Sequence, residues 1–119
     1  MPYIKGFIIP VKASKRTDYE AMARFAAPIF IEHGALQVVE NWGDDLPRGK
    51  HTDFYSAVNA EQDENVVFSW MIWPSKEVRD AGNAAAMADP RFEDFDFGDA
   101  VDGKRMIFGG FTPILDMKG

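Results

Sequence analysis

Apolar positions along the chain fall into two periods. Over residues 3–11, Tyr3, Ile4, Phe7, Ile8, Ile9 and Val11 form an aromatic and β-branched run that predicts a strand. Tyr19, Met22, Ala23, Ala26, Ile29, Phe30 and His33 then recur at three- and four-residue spacing, one face of an amphipathic helix. Ser14, or the Thr17-x-x-Glu20 pair, is placed to cap its start, and Gly34 to end it. Pro28 sits inside this pattern without an N–H, so a kink or a detached last turn is expected there.

Period two returns over 35–42, where Leu36, Val38, Glu40 and Trp42 alternate with Gln37, Val39 and Asn41. A polar loop follows over 43–53, and 54–60 is an ambiguous stretch with room for a short turn. Residues 65–73 give the strongest strand signal. Pro74 closes that strand and Ser75 caps a helix whose face is Val78, Ala81, Gly82, Ala85 and Ala88, small side chains that let it lie close to a sheet. Residues 91–103 form an acidic loop bearing Phe92, Phe95 and Phe97. Residues 104–113 are the last strand, in which Gly109-Gly110 marks a bulge or a close backbone approach.

The order β-α-β-β-α-β predicts an α+β, ferredoxin-like fold with a four-stranded antiparallel sheet, as one domain over 1–119. Strands one and three belong in the middle, because both alternating faces are apolar. In the third, Val66, Phe68, Trp70 and Ile72 point one way and Val67, Met71 and Trp73 the other, with Ser69 the polar exception. Two helices cover one face of such a sheet. The other needs a cover, and a second copy packed with two-fold symmetry supplies one. The alternative cover is the loop 91–103 folding across with its phenylalanines.

Composition narrows the function. Lys and Arg number 13 against 19 Asp and Glu, a net charge of −6, and no basic block is present, which argues against nucleic acid. There is no cysteine, so disulfides, thiolate catalysis and Cys-ligated metals drop out. No apolar run has the length of a signal peptide or a membrane span, so the expected location is the cytoplasm.

Candidate chemistry concentrates after the second strand. Asp44, Asp45, His51 and Asp53 are all potential metal ligands, but they match no known metal-binding spacing, so no metal and no cofactor is expected. His51 beside Asp53 is the minimum for acid–base work, although no nucleophile elbow accompanies it. Trp42, Trp70 and Trp73 read first as packing anchors and second as walls of a flat apolar pocket. The candidate ligand-binding residues are therefore Trp42, Asp45, His51, Asp53 and Trp70. The loop carrying three of them is long for a hairpin. It can close over a pocket mouth or reach a partner subunit, with Asp53 and Thr52 fixing it through backbone bonds. His33 reads as a helix-end residue.

Several blocks together resemble one family. Gly34-Ala35-Leu36, Trp42-Gly43-Asp44-Asp45, Thr52-Asp53-Phe54, Phe68-Ser69-Trp70, Trp73-Pro74-Ser75-Lys76, Met87-Ala88-Asp89-Pro90-Arg91 and Asp102-Gly103-Lys104-Arg105-Met106-Ile107 are similar to the signature of the YbaA-like proteins, small bacterial proteins with a domain of unknown function. The resemblance spans nearly the whole chain. It implies a dimeric α/β barrel of ferredoxin-like subunits and no particular activity. The wider superfamily includes cofactor-free monooxygenases, haem-degrading enzymes and isomerase-like or stress proteins, whose ligands commonly sit between sheet and helices. Three functions follow as expectations: a homodimer binding an apolar or aromatic small molecule, a cofactor-free monooxygenase-like or isomerase-like enzyme, and a structural dimer without a ligand.

Overall fold

The computed structural model describes residues 1–93, 95 and 98–119. Its elements are β1 (Tyr3–Lys12), a single 3-10 turn, α1 (Arg16–Glu32), β2 (Gln37–Trp42), α2 (Phe54–Ala57), β3 (Glu64–Trp73), α3 (Lys76–Met87), a second 3-10 turn (Pro90–Phe92) and β4 (Ile107–Phe111). The strands form one antiparallel sheet in the order β2-β3-β1-β4, the ferredoxin-like arrangement, with the two doubly apolar strands at its centre.

β1 and β3 pair over ten residues without a bulge, Tyr3 opposite Trp73 through to Lys12 opposite Glu64. Residues directly opposite share a face. Tyr3, Lys5, Phe7 and Ile9 therefore line up with Trp73, Met71, Ser69 and Val67 under the helices. Ile4, Gly6 and Ile8 lie with Phe68, Trp70 and Ile72 on the other side. One buried cluster gathers Ile29, Phe30, Ala35, Met71, Trp73 and Ala86, and a second gathers Ile9, Val11, Tyr19 and Val67.

The small face of α3 has a direct cause. A Cβ on Gly82 would stand 2.4 Å from the Trp73 ring and equally close to the His33 carbonyl, so only glycine lets α3 settle onto the fully buried indole. Ser75 caps α3 as expected, accepting from the Val78 N–H. Gly34 leaves α1 at φ +116°, a conformation that favours glycine. Gly110 is a close approach rather than a bulge, because a Cβ there would fall 2.1 Å from the Tyr3 hydroxyl.

Three local expectations change. Neither Ser14 nor Thr17 caps α1. The chain passes from β1 straight into the 3-10 turn Ala13–Lys15, with the Ala13 N–H bonded to the Asp63 carbonyl, so backbone pairing sets the helix entry. Pro28 does not detach the last turn of α1, which runs unbroken to Glu32 with Pro28 on its exposed side. The described residues of the loop after α3 do not cross the open sheet face. They turn toward the helices, where Phe92 meets Phe25 edge-on at 5.8 Å and Phe95 stacks on the same ring at 4.1 Å. Phe97 lies outside the described residues. The open face thus keeps Phe68, Ile107 and Phe111 exposed at 46%, 42% and 60%.

A charged clamp fastens the end of the chain to the sheet. Arg105 grips the buried Glu64 with two parallel bonds of 2.6 and 2.7 Å, donates to Asp102 at 2.8 Å and reaches the Asn59 carbonyl at 2.9 Å. The hydrogen bonds from Arg105 hold the Glu64 carboxyl below the usual carboxylate range. A lowered acid stabilises the fold above its unfolded pKa and ceases to do so as pH falls through the folded value. Glu64→Gln is thus expected to cost about 3 kcal/mol at neutral pH. In urea titrations the gap from wild type should close on acidification below about pH 4.

Candidate functional site

α3 packs closely on Trp73, and between α1 and the sheet lies a cleft. An inner cavity of about 500 Å³ has Phe7, Ile9 and Met71 for a floor and Met22, Ala26 and Phe30 of α1 for a wall. An outer groove of about 800 Å³ runs between α1 and β2, bordered by Arg16, Arg24 and Trp42. Tyr19, Ala23 and Glu40 line both, so the two spaces meet at these residues.

The junction is where the polar chemistry gathers. Glu40 faces the helices from β2, opposite Ser69 of β3. The Tyr19 hydroxyl donates to its carboxylate at 2.8 Å, and the hydroxyl of the buried Ser69 donates as well. Glu40 is reachable by solvent through the cleft, yet surrounding protein raises its pKa, and the two donated bonds only partly offset this. Burial and the neighbouring Glu40 push the Tyr19 phenol far up, so it remains a donor.

At the other end of the inner cavity Lys5 donates to the Asn83 amide oxygen at 2.9 Å. Its ammonium lies 5.3 and 5.8 Å from the ring centres of Phe7 and Phe108. Partial burial, with Arg79 nearby, lowers its pKa. The cleft is thus an apolar chamber with a cation at one end and a carboxylate at the other. Among the described residues no group of three or more His, Asp and Glu side chains is arranged to hold a metal ion.

The residues singled out from sequence do not assemble into one site. Trp42 lines the outer groove, with the Arg16 guanidinium 5.2 Å above its ring. Trp70 is on the opposite face of the sheet, edge-on to Phe68 at 5.4 Å. Asp53 caps α2, its carboxylate accepting from the Ser56 N–H at 2.7 Å and the Gly49 N–H at 3.2 Å, with Arg48 at 3.7 Å. These bonds hold its pKa down. Asp45 and His51 are exposed, and neither lines the cavities described above. The loop between β2 and α2 does not cover the cleft mouth. Leu46 and Phe54 turn instead toward Val66 and Phe68 at one end of the open face. His33 ends α1 and meets Asp89 at 3.1 Å, in a cluster with Arg91 and Glu32.

The cleft residues missed from sequence are Lys5, Tyr19, Glu40 and Asn83. The available signal was parity: Lys5 and Ser69 are polar at inward positions of otherwise apolar strands, and Glu40 shares the inward row of Val38 and Trp42.

Comparison with known proteins agrees with the fold. Residues 2–103 match the family described as "Protein of unknown function (DUF1428)". The "Uncharacterized protein YbaA" of Escherichia coli K12 is 54% identical over 116 residues, covering 98% of this chain and 99% of the relative, and that of Shigella flexneri matches equally well. Among solved structures, Rv0793 from Mycobacterium tuberculosis superposes with a TM-score of 0.52 at 13% identity, over 99% of this chain and 100% of the other. That likeness is one of fold. No described helix is long and apolar enough to cross a membrane.

A raised carboxylate pKa carries the opposite sign from that of Glu64. The folded state binds this proton more tightly than the unfolded chain, so the ionised form opposes folding above the folded pKa and stops doing so as pH falls through it. Glu40→Gln is therefore expected to raise the melting temperature at neutral pH, and the gain over wild type should shrink in acid. Differential scanning calorimetry across pH checks this, and a lower melting point at neutral pH would contradict it.

Proposed function

Because this chain belongs to the DUF1428 family of proteins of unknown function, we propose its role from the cleft itself: it is a homodimer whose subunits each bind an apolar or aromatic small molecule between sheet and helices. The observation that carries this reading is the inner cavity of about 500 Å³, walled by aromatic, methionine and aliphatic side chains and supplied with a few polar groups at its two ends. That combination is typical of small-molecule sites, where apolar walls give affinity and sparse polar groups give orientation.

The open sheet face supports the dimer. Phe68, Trp70, Ile72, Ile107 and Phe111 stand on it together. Burying each large apolar side chain is worth roughly 1.5–3 kcal/mol, and exposed apolar patches of this kind mark association surfaces. A second copy presents the same patch and closes the assembly by two-fold symmetry. The loop bearing Asp45, His51 and Asp53 then borders the interface rather than the ligand.

Two measurements test the reading separately. Sedimentation equilibrium at micromolar concentration is expected to give a dimer, and Phe68→Asp, at a position already half exposed in the single chain, a folded monomer. A wild-type monomer at that concentration would refute the assembly. The uncharged fluorophore N-phenyl-1-naphthylamine is expected to bind saturably with enhanced emission. Ala26→Trp should fill the inner cavity and abolish the signal without lowering the melting point. Absent or unaltered binding would refute the cleft.

A further inference from the structure

Two charges in the inner cavity have no charged partner. Lys5 is half-buried, its hydrogen-bond partner is the neutral amide of Asn83, the rings of Phe7 and Phe108 lie beside its ammonium, and the like-signed Arg79 acts on it. Glu40 accepts from the neutral hydroxyls of Tyr19 and Ser69. Among the described residues neither group forms an ion pair, although they stand on the same floor and have opposite sign.

The register explains why they stay apart. Lys5 is in the row Lys5–Met71–Val38, and Glu40 in the next row on the same face, Phe7–Ser69–Glu40. They are thus separated by two strand spacings across the sheet and one side-chain repeat along it, an offset of roughly 12 Å between α-carbons. Phe7 and Met71 fill the floor between them. An ion beside apolar walls without a charged partner, half-buried at Lys5 and exposed to the cleft at Glu40, can take a partner that arrives from outside. Two such ions at opposite ends of an apolar floor define a ligand by its own two ends.

We infer that the inner cavity binds an aromatic or other flat organic acid that carries a hydrogen-bond donor at its far end, the carboxylate meeting the Lys5 ammonium and the donor meeting the Glu40 carboxylate. The Asn83 bond uses one of the three ammonium protons and leaves the others for an anion. Tyr19 and Ser69 occupy part of the Glu40 acceptor capacity and orient the rest toward the cleft that Glu40 lines. The ring of the ligand would lie over Phe7 and Met71. This inference rests on the cleft being a ligand site, and it adds the chemical class of ligand.

Three probes differing by one group test it on the full-length protein by isothermal titration calorimetry: 4-hydroxycinnamate, cinnamate and 4-hydroxycinnamyl alcohol. The first is expected to bind about tenfold more tightly than either of the others. Lys5→Met should abolish the preference for the acid over the alcohol, Lys5→Arg should keep it, and Glu40→Gln should abolish the preference for the hydroxylated acid over cinnamate. Equal affinities across the wild-type series overturn the inference without need of any variant, as does a preference that survives Lys5→Met. No binding of the three probes, with N-phenyl-1-naphthylamine still bound, overturns this inference and leaves the cleft reading standing. Loss of the neutral probe as well overturns both.

Discussion

The rest of the structure depends on the uninterrupted pairing of β1 with β3. With every residue from Tyr3 to Lys12 matched to one from Trp73 back to Glu64, side-chain parity is locked along the centre of the sheet. That parity sends Lys5, Phe7 and Ser69 under the helices and Phe68, Trp70 and Ile72 to the other side. β2 and β4 extend the same alternation outward, which brings Glu40 inward and leaves Phe111 outward. The cleft and the open face are the two sides of one registration.

The two long helices then divide the covered face unequally. α3 brings glycine and alanine to the sheet and seats on Trp73 with no room for one more carbon at Gly82. α1 brings the larger Tyr19, Met22, Phe25 and Phe30 to the two buried clusters. The cleft opens among these larger side chains, and Tyr19, Met22 and Phe30 line it. The aromatic stack of Phe25 with Phe92 and Phe95 brings the chain after α3 to the helices, and Phe92 also borders the cavity. The Arg105 clamp to Glu64 secures the return of that segment to β4.

Much of this was legible in the residue pattern, because period and punctuation are local. The strand–helix order, the central position of strands one and three, the Ser75 cap and the glycine at Gly34 all follow from a few neighbouring residues. Pro28 misled because its effect depends on which side of α1 faces water, a tertiary fact. The site was hard to read for a related reason. Chemistry that is dense along the chain, Asp44 to Asp53, is spent on a turn, where Asp53 satisfies the backbone of Ser56 and Gly49. Chemistry that is dense in space comes from residues far apart, Tyr19 with Glu40 and Lys5 with Asn83. Trp42 and Trp70 illustrate the gap. Each is a plausible pocket wall alone, and the β2–β3 register alone reveals that the sheet lies between them.

The bulge-free central pairing also governs how this chain can change length. One residue inserted into or deleted from β1 or β3 would exchange the two faces beyond that point, carrying the Lys5 and Ser69 positions out of the cleft and the open-face aromatics into it. No neighbouring loop can absorb such a slip, because β1 is paired on both sides. Insertions and deletions are therefore expected in the connections between elements. The central strands can vary only by substitution.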